Sequence, residues 1–140
     1  MSQVAFAAEK SRFISITRRI SSWTEQVLGT QFQKYCSGQT WIPSVNLCEH
    51  SDYYCLVVEL AGMSADKIDL SVEADKGILV LSGERPTPKP QSGDDVVCLH
   101  LMEIDHGRFA RALELPEDVD VNRIEAKYSS GYLWVTLPKK

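Results

Sequence analysis

The sequence predicts an all-β fold over residues 41–140, an immunoglobulin-like antiparallel β-sandwich, preceded by an N-terminal arm over residues 1–40 that is helical. Three observations carry this. Apolar residues recur at steps of three and four up to Val27, then at every second position from Trp41 onward; those two periods mark helix and strand respectively. The period-two runs are short and are separated by hairpin-type turns such as Asp75-Lys76-Gly77 and Ser129-Ser130-Gly131, as sandwiches require. No helix-length pattern lies between them, which excludes an alternation of strands and helices.

In the arm, no Gly or Pro precedes Gly29, and Phe13, Ile16, Ile20, Trp23 and Val27 form one apolar stripe with Arg12, Arg19 and Glu25 largely off it. A lone amphipathic helix of about four turns cannot bury its own apolar face. It must pack against the domain, another subunit, a partner or a membrane surface. The same stretch contains Ile14-Ser15-Ile16. If extended, Ile14 and Ile16 point the same way and fill two adjacent pockets. In a helix they diverge by roughly 200° and only Ile16 lies on the stripe. Helix is the expectation.

In the body, Val45-Asn46-Leu47-Cys48-Glu49 alternates, and Tyr54, Leu56, Val58 and Leu60 line one face of a second strand. Gly62 ends it, Ser64-Ala65-Asp66-Lys67 turns, and Ile68–Glu73 alternates before Ile78–Ser82. Residues 85–103 form a long loop that begins with three alternate prolines and then carries its own strand, Val96–Met102. Strands at Arg108–Leu115, Arg123–Tyr128 and Tyr132–Leu137 complete the domain.

The chain has 44% hydrophobic and 24% charged residues, the balance of an ordinary globular protein. A net charge of −4 argues against nucleic acid as a partner. The charge is uneven: residues 1–40 hold five basic and two acidic side chains, the remainder ten and seventeen. No run of eighteen apolar residues occurs and the N-terminus has no secretory pattern, so the expected compartment is the cytoplasm. Cys36, Cys48, Cys55 and Cys98 sit at no zinc spacing, and in a reducing compartment they read as small buried hydrophobes. A four-residue turn at His50–Tyr53 places Cys48 opposite Cys55. The serines and His50, His100 and His106 fall in no nucleophile context, and no phosphate loop is present. No enzyme activity, cofactor or metal is expected.

Gly107-Arg108-Phe109-Ala110-Arg111 runs on to Leu115-Pro116, followed by Ala126, Gly131, Leu133 and Leu137-Pro138-Lys139, with Leu60-Ala61-Gly62 and Ser82-Gly83-Glu84-Arg85 earlier. In these motifs the chain resembles the small heat-shock protein (alpha-crystallin) family over about a hundred residues. The resemblance implies a holding chaperone that captures unfolding proteins without ATP and assembles into dimers and larger homo-oligomers. It also implies that the loop strand pairs with a neighbouring subunit, which makes Val97, Leu99 and Leu101 dimer-interface residues. Arg111 shares the inward parity of Phe109, Leu113 and Leu115. A cation on an apolar row needs a carboxylate, within the chain or, as the resemblance favours, across the subunit interface.

The sequence departs from the family pattern at Ala61, where Pro is usual, and at Ile104 after Glu103, where Arg is usual. It also stops at Lys140, without the tail bearing an Ile-x-Ile motif that docks between the family's fourth and eighth strands. The corresponding groove is expected to be lined by Leu70, Val72, Ile124, Ala126 and Tyr128. Higher assembly and client capture then shift to the arm, through Ile14, Ile16, Ile20, Trp23 and Val27. An adaptor of the CS-domain co-chaperone type, which binds one chaperone as a monomer, is the rival reading; the strand-bearing loop and apolar arm count against it. Binding of the basic arm to a membrane surface is the weaker third.

Overall fold

The computed structural model describes residues 12–18, 41–89, 93, 95–96 and 98–140. Two short strands come from the arm, β1 (Arg12–Phe13) and β2 (Ile16–Arg18). The body consists of β3 (Val45–Glu49), β4 (Tyr53–Glu59), β5 (Ile68–Glu73), β6 (Ile78–Arg85), β7 (Gly107–Glu114), β8 (Glu125–Ser129) and β9 (Tyr132–Pro138). Single 3-10 turns lie at Ala65–Lys67 and Val121–Arg123. One sheet has the order β1-β8-β9-β4-β3 and the other β2-β5-β6-β7. All body pairings are antiparallel, whereas β2 lies parallel to β5.

Period-two alternation decides what meets between the sheets. Leu56 and Val58 on β4 and Leu133, Val135 and Leu137 on β9 face Ile68, Leu70, Val72, Leu79, Leu81 and Phe109 from the other sheet. Burying each of these side chains is worth about 1.5–3 kcal/mol. A shift by one residue would turn every one of them to the wrong face, so the core itself sets the register. The β3–β4 turn has the four-residue form, with Glu49 opposite Tyr54 and Cys48 opposite Cys55. The His50 ring stacks on Tyr53 at 4.3 Å, and the Tyr54 hydroxyl donates to Asp118. That hydrogen bond to a carboxylate raises the Tyr54 pKa to about 12.

Two expectations are corrected. Residues 12–18 are not helical: they form two extended pieces joined at Ile14-Ser15. Helix formation has a costly nucleus, whereas here the strand edges β5 and β8 supply ready backbone partners. The remainder of the expected helix, with Ile20, Trp23 and Val27, lies outside the described residues. Val96 and residues 98–102 form no strand within the single chain; the pairing expected of them is with a neighbouring subunit. The cysteines are not uniformly buried: Cys48 and Cys98 are exposed and Cys55 is half-buried. Cys48 lies on edge strand β3 and Cys98 in the loop, neither beneath the other sheet.

Gly83 explains one of the sequence landmarks. A Cβ there would stand 2.8 Å from the Lys67 carbonyl oxygen and 2.8 Å from the Phe109 ring; the backbone atom cannot swing away. Gly83→Ala is expected to lower stability by about 1–3 kcal/mol through overpacking, read by urea unfolding of the full chain. Glu84→Ala, on the exposed face, is expected to cost under about 0.5 kcal/mol. Equal effects from the two would refute this account of the glycine.

Candidate functional site

Two places on the sandwich are built to accept an extended chain. The first is the groove between β5 and β8, the sheet margins that β1 and β2 cover. Its floor is Leu70 and Val72 on β5 with Ile124 and Ala126 at the start of β8, all buried. Tyr128 is partly buried at its end. The Tyr128 hydroxyl donates to the Leu60 carbonyl at 2.7 Å and accepts from the Met63 amide at 3.3 Å, so this side chain also anchors the turn after β4.

The chain fills this groove with its own residues 12–18. Arg12 and Phe13 pair with Tyr128 and Lys127, and Ile16, Thr17 and Arg18 pair with Leu70, Ser71 and Val72. At the crossing point, the Ile14 amide donates to the Ala126 carbonyl at 2.8 Å. Ile14 is 9% exposed and belongs to the core, and Ile16 packs against it, while Ser15 between them is exposed, as is Phe13 before them at 75%. This is the two-pocket geometry of an extended Ile-x-Ile, with alternate side chains directed inward. The strap therefore joins the edges of both sheets and closes that side of the sandwich.

The second place is the free edge of β3. The His50 amide bonds the Tyr53 carbonyl and the Glu59 amide bonds the Ser44 carbonyl. In an antiparallel ladder this alternation turns the amides and carbonyls of Asn46 and Cys48 toward β4 and those of Val45, Leu47 and Glu49 away from it. Leu47 is exposed on this edge. The loop displays complementary material: Val96, Leu99, Leu101, Met102 and Ile104 are all exposed, Leu101 at 78%. Val97 lies outside the described residues.

Arg111 sits on the inward row of β7, half-buried, and its Nη1 donates to the Pro43 carbonyl at 2.8 Å. Burial lowers its pKa from the usual guanidinium range. The expected carboxylate is not within ion-pair distance among the described residues. Instead, a backbone carbonyl just ahead of β3 satisfies it, tying β7 to the segment that leads to the free edge.

A second inward cation was missed as a functional residue. Arg85 ends the row Leu79, Leu81, Gly83 on β6, the same signal that singled out Arg111. Its Nε and Nη2 donate to the Asp105 carbonyl at 2.9 and 2.6 Å, and its Nη1 reaches Glu59 at 3.5 Å. The guanidinium lies 4.1 Å over the Trp41 ring, and the Trp41 indole donates to the Gly107 carbonyl at 2.8 Å. Arg85 therefore fixes the foot of the long loop to the body and holds Trp41 against Phe109, whose ring centroid is 5.2 Å away. Among the described residues no group of His, Cys, Asp or Glu is arranged to hold a metal ion.

Comparison with known proteins places this arrangement. The family model described as Hsp20/alpha crystallin family matches residues 46–140. The 18 kDa antigen 2 of Mycobacterium avium is 32% identical over 121 residues, covering 86% of this chain and 78% of that protein. A 17.7 kDa class II heat shock protein of Arabidopsis thaliana is 33% identical over 94 residues, covering 67% of this chain and 58% of that protein. The crystal structure of the hspA from Xanthomonas axonopodis superposes with a TM-score of 0.61 at 30% identity, over 72% of this chain and 96% of that one. The family match takes in β4 to β9 and nearly all of β3, with the free edge, the strand groove and the long loop, and on it the chain belongs to the Hsp20/alpha crystallin family.

Proposed function

We propose that the protein is an ATP-independent holdase of the cytoplasm, which binds unfolding proteins and prevents their aggregation as a strand-exchanged homodimer or a larger homo-oligomer. The observation that supports the dimer is the pairing of opposites on one chain: an edge with outward amides at Val45, Leu47 and Glu49, and a loop with exposed Val96, Leu99 and Leu101. Residues 96–102 of each chain add as a strand to β3 of the other, which is β-augmentation between equal partners. Arg111 and Pro43 hold the receiving edge in place.

Client capture needs apolar surface that can be uncovered. The strap over the groove supplies it. Its hold rests on one buried isoleucine, one half-buried isoleucine and short ladders, a few kcal/mol in all, within the range of local openings that leave the body folded. Release exposes Ile14 and Ile16 together with Leu70, Val72 and Ala126, either for a client segment or for the strap of another subunit.

Three measurements test this reading. Leu99→Asp with Leu101→Asp is expected to convert the full chain to a monomer by light scattering; a wild-type chain already monomeric would instead favour the adaptor reading. Without any nucleotide, the wild-type chain is expected to suppress the light scattering of a heated client, and failure to do so sinks the holdase. Ile14→Ala removes about 2 kcal/mol from the strap and is expected to speed amide exchange at residues 12–18 by roughly 30-fold, with β9 nearly unchanged. Exchange at wild-type rates would show that Ile14 does not hold the groove shut.

A further inference from the structure

Three of the four cysteines belong to the free edge and its surroundings. Cys48 on β3 and Cys55 on β4 are register partners, and Cys98 lies in the long loop. Leu56 and Val58 point into the core, so Cys55 and Cys48 point to the outer face of their sheet. Cys48 and Cys98 are exposed and Cys55 is half-buried. Although they face each other, Cys48 and Cys55 make a poor disulfide. The His50 amide bonds the Tyr53 carbonyl, which makes Cys48 and Cys55 a hydrogen-bonded pair, two steps along the same ladder. At such pairs the side chains stand farther apart than at the intervening ones. Their Cβ atoms lie toward the upper end of about 4.5–5.5 Å, whereas a disulfide holds them about 3.5–4.5 Å apart.

The free side of Cys48 has the opposite geometry. There Val45, Leu47 and Glu49 turn their amides and carbonyls outward, so Cys48 holds a close, non-hydrogen-bonded position toward any strand added to that edge. The proposed dimer adds the loop of a second copy, and one register satisfies the edge. The partner's Leu99 and the partner's Leu101 belong on the side of Val45 and Leu47, the row shared with Leu56 and Val58. The partner's Cys98 and the partner's His100 then fall on the side of Cys48 and Asn46. The ladder is taken as antiparallel, the sense of every pairing in the seven-strand body and the more stable one. Leu47 then meets the partner's Leu99, and Val45 meets the partner's Leu101. Sliding by two residues one way sets the partner's Leu101 opposite Pro43, which has no amide hydrogen and whose carbonyl is held by Arg111. Sliding the other way sets the partner's Leu99 against Glu49, a carboxylate engaged by Lys139, and the partner's Glu103 against Val45. The register that remains places the partner's Cys98 opposite Cys48, with Cα atoms about 4.5 Å apart.

We propose that Cys48 of one subunit and Cys98 of the partner subunit form a peroxide-sensitive thiol pair whose oxidation locks the exchanged dimer. This pair rests on the strand-exchanged dimer proposed above. Two-fold exchange repeats it, so each chain gives Cys48 to one link and Cys98 to the other. Hydrogen peroxide oxidises one exposed thiolate to a sulfenic acid: the O–O bond breaks, an S–O bond forms and hydroxide leaves. The facing thiolate attacks that sulfur, the S–S bond forms, the S–O bond breaks and a second hydroxide leaves. The two thiol protons turn both hydroxides into water, and the two electrons given up by the sulfurs reduce the peroxide. Burial, and then the neighbouring Cys48, push the Cys55 thiol pKa up, which keeps its thiolate scarce and leaves it outside the link. In a reducing compartment such a link forms only while oxidant persists.

Light scattering of the reduced full chain, followed by hydrogen peroxide and peptide mapping without reductant, tests this. The expected product is a covalent dimer with Cys48 joined to Cys98, and two of the four thiols of each chain lost. When isotope-labelled and unlabelled chains are refolded together from urea, part of the linked peptide is expected to carry mixed label. Label-matched peptides alone would make the link internal to one chain and overturn the proposal. Cys48→Ser and Cys98→Ser are each expected to abolish the link, and Cys55→Ser to retain it. A monomeric reduced chain overturns the dimer and the thiol pair together. A dimeric or larger chain that gives Cys48–Cys55, or no disulfide at Cys48, overturns the thiol pair alone. The register has its own check in a chain whose native cysteines are Ser. There Asn46→Cys with His100→Cys is expected to link subunits under peroxide. Linkage of Asn46→Cys to a restored Cys98 instead would mean a shifted or parallel strand and overturn the pairing.

Discussion

A two-sheet sandwich is only as stable as its open sides. The strands of each sheet satisfy one another along the ladder, but at the margins the gap between sheets exposes apolar side chains and unpaired backbone to water. Here both margins are closed by chain from outside the seven-strand body. Ile14 enters between β8 and β5 on one side, and Trp41 packs between β7 and the Arg85 guanidinium on the other. Everything else depends on these closures: Leu70 and Val72 lie dry beneath the strap, the loop foot is fixed because Arg85 has Trp41 to stack on, and β3 starts where Arg111 holds Pro43.

Among the described residues the two closures differ in what holds them. Trp41 is held by a large buried ring, an indole hydrogen bond and a cation on its face. Ile14 is held by one aliphatic side chain and a short ladder. The first margin stays shut while the sheets are folded. On the proposed function, the second opens locally, and the groove is vacated without disturbing β4 or β9. A release element placed on the weak side leaves the free edge at β3 undisturbed on the strong side.

Much of the body was legible because alternation is a demanding signal. The turn between β3 and β4, the inward rows of β5 and β7 and the Arg111 anomaly all follow from parity. Residues 12–18 were misread for a physical reason. Phe13, Ile16, Ile20, Trp23 and Val27 satisfy the helical period, yet Ile14 and Ile16 satisfy the strand period over the same residues, and two free sheet edges decide between them. Local sequence cannot report those edges. The loop strand was expected from the apolar character of Val96–Met102, but a lone chain has no partner to give it a ladder. Arg85 was legible by the same rule as Arg111 and was passed over because its row ends at a loop.

Exposed apolar groups on an edge strand and on a long loop are ordinarily a hazard of uncontrolled pairing. Two features confine it here. The receiving edge is short, from Val45 to Glu49, with Glu49 at its end engaged by Lys139 at 2.7 Å. The donor begins after alternate prolines at 86, 88 and 90, which cannot donate to a ladder and so limit how far pairing extends. In the proposed exchange, a short edge flanked by a charge pair and a donor bounded by prolines would accept one strand of one length. That restriction would turn a sticky edge into a specific one, the property the proposed pairing needs to stop at a defined pair.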